Sequence, residues 1–182
     1  MSSHGWKTVQ SKIVYENPWI KLTEDKVIRP DGKEGIYGYL DKQPGVIIIP
    51  FDGEHIYFIT EYRYPIRATV LSLPMGGVPD NTSPIDQVKN ELFQETGILS
   101  ASCQELGRMM VAPGHETTYC DIFLATDLDI SGLKTDNQEG DEAISEIHKF
   151  TISEVKELIK NKKINCSHTL SAIAMFLSSN AL

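Results

Sequence analysis

Glu91 and Glu95 are the residues whose type and spacing first suggest chemistry. They stand four positions apart in a segment with helical periodicity, so both carboxylates project from one face, which we expect to be open to solvent. Ile85, Val88 and Leu92 form an apolar stripe on another face. The like charges repel by roughly 0.2–0.5 kcal/mol, and a divalent cation between them removes this repulsion. Taken alone, the pair fits a solvated acidic face better than a magnesium site, because exposed glutamates are common.

A glycine turn just before this helix favours the metal site. Residues 73–77 (LPMGG) indicate a strand that enters a turn where the main chain can approach a ligand closely. The carbonyl oxygen of Met75 is then a third ligand for the same cation, since Mg²⁺ prefers carboxylate, carbonyl, water and phosphate oxygens. The helix is predicted to begin near Ser83 as its N-cap, with Asp86 completing a capping-box pattern, and to end at Gly97.

Residues 76–98 resemble the Nudix box, G-x5-E-x7-R-E-U-x-E-E-x-G-U, in which U is a bulky apolar residue. In this frame Gly76 opens the box, Glu91 follows the arginine position, and Glu95 is the second glutamate of the E-E pair. Three positions depart from the pattern: Thr82 replaces the first glutamate, Asn90 the arginine that supports the neighbouring glutamate, and Gln94 the first glutamate of the pair. The resemblance implies that Glu91 and Glu95 bind Mg²⁺, with Mn²⁺ as a possible substitute.

The resemblance extends along nearly the whole chain and is to the ADP-ribose pyrophosphatase branch of this family. Its landmarks are residues 17–19 (NPW), 30–32 (PDG), 61–65 (EYRYP), 73–76 (LPMG) and 112–116 (APGHE). The branch implies an α/β fold, an α/β/α sandwich with a mixed central sheet and an N-terminal antiparallel strand region. It also implies that residues 1–44 help to form a homodimer and that residues 45–182 are the hydrolase domain.

The same resemblance implies a set of substrate-binding residues. Arg63 matches an arginine that contacts phosphate or stacks on the base, although a surface ion pair with Glu61 is an equal alternative. Trp19 is a platform for the base, with core packing or a dimer contact as alternatives. Glu116 accepts hydrogen bonds from ribose hydroxyls or joins the metal site. Gly76 brings the main chain of the glycine turn to the substrate.

Residues 138–142 (QEGDE) match the loop from which the family takes its last catalytic carboxylate. Glu142 aligns as a late metal ligand, beside Met75, Glu91 and Glu95. Glu139 is assigned as the general base, with Asp141 as the rival. The predicted catalytic residues are therefore Glu95, Glu139 and Glu142.

The reaction implied is Mg²⁺-dependent attack of water on the pyrophosphate of a nucleoside diphosphate sugar, with ADP-ribose giving AMP and ribose 5-phosphate. A GDP- or UDP-sugar is an alternative substrate. Some relatives of that kind show Asp-x-Lys at the start of the last helix, where this chain has residues 166–168 (CSH). A catalytically weak nucleotide-binding module is a third reading, favoured by the three departures from the box.

The rest of the sequence predicts the elements that hold these residues. Alternating residues 12–40, with a turn at 30–32, indicate an N-terminal antiparallel sheet, and residues 45–50 and 55–60 indicate a central hairpin. Residues 127–141 are predicted to form a long mobile loop. Further strands are expected at residues 69–73, 108–111, 121–125 and 146–151, and closing helices from Ser153 and about His168.

Composition excludes several classes of protein. The chain has 182 residues, 41% of them hydrophobic, which suffices for a full core. Its net charge of −8 and scattered basic residues argue against nucleic acid. The sequence shows neither a signal peptide nor an 18-residue apolar run, so we expect a cytoplasmic protein without a membrane span. Three widely spaced cysteines, Cys103, Cys120 and Cys166, are expected to be reduced and buried.

Overall fold

Three antiparallel strands form the sheet of the N-terminal region, as the sequence predicts. In a computed structural model that describes residues 4–134 and 143–179, they are β1 (Lys7–Glu16), β2 (Lys21–Ile28) and β3 (Glu34–Asp41), in the order β1-β2-β3. The Asn17 side chain accepts hydrogen bonds from the N–H groups of the two residues that end the first turn. The second turn contains Gly32 at a φ of +80°, which favours glycine.

The chain divides into two compact units. The first contains Met1–Pro44 and Met110–Tyr119, and the second contains Gly45–Met109 and Cys120–Leu182. The segment 110–119 therefore belongs with the N-terminal sheet, to which it is joined by hydrogen bonds between Leu40 and residues 115 and 117. The predicted domains, residues 1–44 for dimerisation and 45–182 for hydrolysis, stay a prediction.

Two sheets form the second unit. The first is mixed, with the order β7 (Met75–Gly77), β4 (Gly45–Pro50), β9 (Tyr119–Asp129) and β8 (Leu99–Met110). In it β4 runs parallel to β9 and antiparallel to β7. The second sheet is antiparallel, with the order β10 (Ile144–Thr151), β5 (His55–Arg63) and β6 (Ala68–Ser72).

The predicted central hairpin is wrong beyond one antiparallel bridge, between Phe51 and Ile56. Residues 45–50 and 55–60 are strands, but β4 and β5 lie in different sheets. All six residues of β4 are buried, and both of its edges are hydrogen-bonded, to β7 and β9. A continuous apolar run is typical of such a fully buried strand, whereas a hairpin strand with one open face alternates. The turn at Asp52 therefore carries the chain from one sheet to the other.

The helices begin and end close to where the sequence places them. Helix α1 (Pro84–Thr96) has Ser83 as its N-cap, whose side chain accepts from the N–H of Asp86, and it ends at Gly97 with a φ of +71°. A Cβ at Gly97 would lie 1.9 Å from the carbonyl oxygen of Gly132, so only glycine fits there. Helices α2 (Ile152–Lys160) and α3 (Ser167–Ser178) start within one residue of the predicted positions.

The core of the second unit forms where α1 and α3 pack against β4. Val88 and Leu92 of α1 are fully buried, each worth roughly 2 kcal/mol in apolar burial. They join a cluster with Val46, Ile48, Tyr57, Ile98, Phe123 and Ala125. Ile85 is 41% exposed, so its predicted place in the apolar stripe is wrong. It lies in the first turn of α1.

Two other expectations have mixed outcomes. Residues 127–129 continue strand β9, so the predicted loop 127–141 is wrong at its start, and residues 135–142 lie outside the described part of the chain. All three cysteines are free, as expected; Cys120 is buried and the other two are half-buried. Among the described residues, no helix is long and apolar enough to cross a membrane.

Candidate metal and substrate site

Glu91 and Glu95 are buried, with only 7% and 2% of their surfaces exposed. The expectation that this face of α1 is open to solvent is therefore wrong. The cause is β7, which lies against the acidic face, and the main-chain N–H of Met75 donates to Oε2 of Glu95 at 3.0 Å. A buried carboxylate is costly unless it is hydrogen-bonded or binds a cation. Burial of the two carboxylates therefore favours a metal site over a solvated acidic face.

Gly76 allows β7 to come this close. A Cβ at this position would lie 1.8 Å from Oε1 and 2.6 Å from Oε2 of Glu91, which no side chain tolerates. The predicted glycine turn is a short strand here, with Gly76 paired to Val46 of β4. The close approach of the main chain that the glycines suggested is therefore made to the Glu91 carboxylate.

The sequence interpretation missed Gln87. Its Nε2 donates to Oε1 of Glu91 at 2.6 Å, and Gln87 itself is only 7% exposed. The signal was available, because the two residues stand four apart on α1 and therefore share a face. The three positions that depart from the box are less buried: Thr82 and Gln94 are half-buried and Asn90 is exposed.

The donor set at this point fits a magnesium ion. Two buried carboxylates from one helix face supply hard oxygen ligands, and Mg²⁺ takes one or two carboxylates and completes its shell with water and phosphate. Within residues 4–134 and 143–179, no three His, Cys, Asp or Glu side chains converge on a metal site. The Met75 carbonyl therefore stays a predicted ligand, as does Glu142.

Arg63 is the last residue of strand β5. It forms an ion pair with Glu61, which was the predicted alternative to a substrate contact. Its Nη2 lies 2.7 Å from Oε2 of Glu61, which is 7% exposed, while the Arg63 side chain is 40% exposed. The chain then turns through a short 3-10 helix, Tyr64–Ile66. Because a guanidinium carries five N–H donors, the pair with Glu61 leaves donors for a phosphate. The substrate contact stays a prediction.

The two candidates in the first unit differ in exposure. Trp19 is 71% exposed, which excludes the core-packing alternative and leaves base stacking or a dimer contact as predictions. Glu116 forms an ion pair with Lys42, whose Nζ lies 3.0 Å from Oε2 of Glu116. The Glu116 side chain is only 10% exposed. The sequence did not suggest Lys42 as a partner of Glu116. The predicted roles of Glu116 toward ribose or metal stay predictions.

The remaining acids, Glu139 and Glu142 with the rival Asp141, lie outside the described residues. Their predicted roles as general base and metal ligand are untested.

Comparison with known proteins identifies the fold. A solved structure described as an ADP compounds hydrolase superposes with a TM-score of 0.81 and 18% identity, over 95% of this chain and 92% of that chain. The chain has the Nudix fold. Residues 6–40 also match the family model of the nucleoside diphosphate sugar hydrolase N-terminal domain.

Two curated relatives align over nearly the whole length of this chain. An ADP-ribose pyrophosphatase of Bacillus subtilis (strain 168) is 24% identical over 184 residues, 100% of this chain and 98% of the relative. A methanol dehydrogenase activator of Bacillus methanolicus is 24% identical over 179 residues, 97% of this chain and 95% of the relative. Each alignment thus covers nearly all of this chain and of the relative.

Proposed function

We propose that this Nudix protein hydrolyses the pyrophosphate bond of a nucleoside diphosphate sugar, with ADP-ribose as the first candidate. The observation that carries the proposal is the buried pair Glu91 and Glu95, which lies against a strand that only glycine allows to come so close. The names of the relative from Bacillus subtilis and of the similar solved structure support the substrate class. The products would be AMP and ribose 5-phosphate.

The chain's own residues would divide the work as follows. Glu91 and Glu95 would hold Mg²⁺, which when bound neutralises charge on the phosphate oxygens and lowers the pKa of the attacking water. Glu139 would accept the proton of that water. Arg63 would bind phosphate oxygens through donors not used by Glu61, and Glu116 would accept from ribose hydroxyls. Trp19 would stack on the base through its exposed ring.

We further propose that the protein is a homodimer that assembles through its N-terminal sheet. Strand β1 lies at the edge of this sheet and is exposed along its whole length. Val9 and Ile36, which are 60% and 69% exposed, line a groove of about 580 Å³ on the same sheet. Exposed apolar patches of this kind mark interaction surfaces. A cytoplasmic location is proposed as well, supported by three free thiols.

The test is release of nucleoside monophosphate from ADP-ribose and from a panel of GDP-, UDP- and ADP-hexoses in millimolar Mg²⁺. We expect ADP-ribose to be cleaved fastest and Glu95→Gln to lower kcat by about 100-fold or more, since even residues behind metal ligands contribute roughly 10–100-fold. Glu157→Gln is the matched control, because Glu157 is an exposed acid paired with Lys160 on α2. Activity that is unchanged in Glu95→Gln would reject the proposed site.

A nucleotide-binding module without turnover is the second candidate. The altered positions Thr82, Asn90 and Gln94 favour it, and so does the second relative, whose name is that of an activator. Calorimetry separates the two functions. ADP-ribose that binds but is not cleaved, with no other sugar nucleotide cleaved, would decide for the binding module. Faster cleavage of a GDP- or UDP-hexose would keep the enzyme and change its substrate.

A further inference from the structure

Gln87 and Glu91 form a buried contact inside the proposed metal site. They stand one helical turn apart on α1, each is 7% exposed, and the amide Nε2 lies 2.6 Å from Oε1 of the carboxylate. A buried glutamine is uncommon, and its amide costs free energy unless it is hydrogen-bonded. This contact satisfies the amide and at the same time fixes the direction of one carboxylate oxygen.

The opposite side of the Glu91 carboxylate is closed by the main chain. Both of its oxygens lie within 2.6 Å of the point where a Cβ at Gly76 would stand. The carboxylate therefore cannot shift toward β7, while the amide of Gln87 holds Oε1 from its own helix. Glu95 is fixed in a comparable way, because Oε2 accepts from the N–H of Met75. In these two contacts the donors are neutral.

A neutral donor matters at a cation site. An arginine, which supports the neighbouring glutamate in the Nudix box, would also orient Glu91, but its positive charge would offset part of the negative charge of the carboxylate. An amide N–H orients the carboxylate and leaves its negative charge for the metal. Asn90, which stands where the Nudix box has arginine, is exposed. The contact to Glu91 is made instead from one turn earlier in the helix.

We propose that Gln87 is a positioning residue that holds Glu91 for the divalent cation. The inference rests on the proposed function, since it takes Glu91 as a metal ligand. Second-shell hydrogen bonds of this kind orient metal ligands, and losing one costs roughly 10–100-fold in metal affinity. A purely structural glutamine would instead affect folding stability and leave metal affinity unchanged.

The experiment measures Mn²⁺ binding without substrate, by calorimetry, together with thermal unfolding of the metal-free protein. Gln87→Met keeps the length of the side chain and removes the donor, and we expect Mn²⁺ affinity to fall about 10–100-fold. Lys89→Met, an exposed position on the same helix, is the control and should bind like the wild type. In a Glu91→Gln background the Gln87 substitution should have no further effect on affinity.

Gln87→Lys keeps a donor and adds a positive charge, so it tests the argument if Gln87→Met fails to fold. We expect weaker Mn²⁺ binding than in the wild type because of the added charge. Wild-type affinity in either folded Gln87 variant, or additive losses with Glu91→Gln, would overturn the role of Gln87 without touching the proposed function. Wild-type protein that binds Mn²⁺ but cleaves no sugar nucleotide would reject the hydrolase and leave Gln87 supported.

Discussion

At the scale of single residues, Gly76 is the position with the least freedom in the site. Alanine there would place its Cβ 1.8 Å from the Glu91 carboxylate, so the carboxylate or β7 must move. We expect Gly76→Ala to lower hydrolysis by about tenfold or more, since misplaced catalytic groups are costly, and stability by about 1–3 kcal/mol. Steady-state kinetics over a range of Mg²⁺ concentrations and urea unfolding measure the two effects.

Gly38→Ala is the control for this substitution. Gly38 lies within a strand, its φ is not positive, and a Cβ there would meet nothing within 4 Å. It should leave kcat unchanged. Full activity in Gly76→Ala would show that the Glu91 carboxylate does not need its present position.

The sequence predicted part of the site at this scale. The spacing of Glu91 and Glu95 was enough to place both carboxylates on one helix face. Their burial was not predictable from the helix, because it depends on β7, which lies elsewhere in the sequence and reaches them only through Gly76. Gln87 was missed because glutamine on a helix is usually exposed, so its pattern alone indicates a surface residue.

At the scale of elements, the turn between β4 and β5 shows why the predicted hairpin failed. The turn residues Asp52 and Gly53 suit a hairpin. Strand β4 pairs with β7 and β9 instead of β5, because it is buried on both faces. The turn is nevertheless well defined: Oδ1 of Asp52 accepts from the N–H groups of Glu54 and His55, and Oδ2 accepts from the Tyr57 hydroxyl. Local sequence thus fixed the turn, and tertiary packing fixed the pairing.

Asp52 makes the stability of this turn depend on pH. Burial opposes ionisation, but the hydrogen bonds from His55 and Glu54 outweigh it and hold the pKa of Asp52 below its usual value of 3.8. A lowered folded-state pKa means that the stabilisation is complete above 3.8 and is lost as pH falls through the folded-state pKa. We expect Asp52→Asn to lower the free energy of unfolding by about 1–2 kcal/mol at pH 7, with a smaller difference in acid.

Urea unfolding at neutral pH and in acid well below 3.8, under the folded-state pKa of Asp52, measures this difference. Glu54→Gln is the control, since its side chain is 78% exposed and its Oε2 lies 3.8 Å from Nδ1 of His55, beyond hydrogen-bonding distance. A loss for Asp52→Asn that is equal at both pH values would mean that the charge of Asp52 does not contribute.

At the scale of the whole molecule, the Nudix fold was predictable because its landmarks are spread along the chain. Residues 17–19 and 30–32 mark turns or turn edges of the first sheet, and residues 73–76 enter the strand that carries Gly76. The assignment of segment 110–119 to the first unit was not predictable, since it depends on long-range hydrogen bonds to Leu40. Short motifs were therefore enough to predict the fold. The division into units depends on long-range pairing, which the motifs do not show.

The proposed dimer is a property of the whole molecule, and β1 is where it can be tested. Val9 and Ile13 are 60% and 50% exposed on an edge strand, where a charge prevents pairing between chains. We expect wild-type protein to sediment as a dimer and Val9→Lys/Ile13→Lys as a folded monomer, measured by analytical ultracentrifugation and circular dichroism. Leu99→Lys, an equally exposed apolar position on β8, should remain a dimer. A wild-type monomer at all concentrations would reject β1 as an interface, and each chain would then bind its substrate alone.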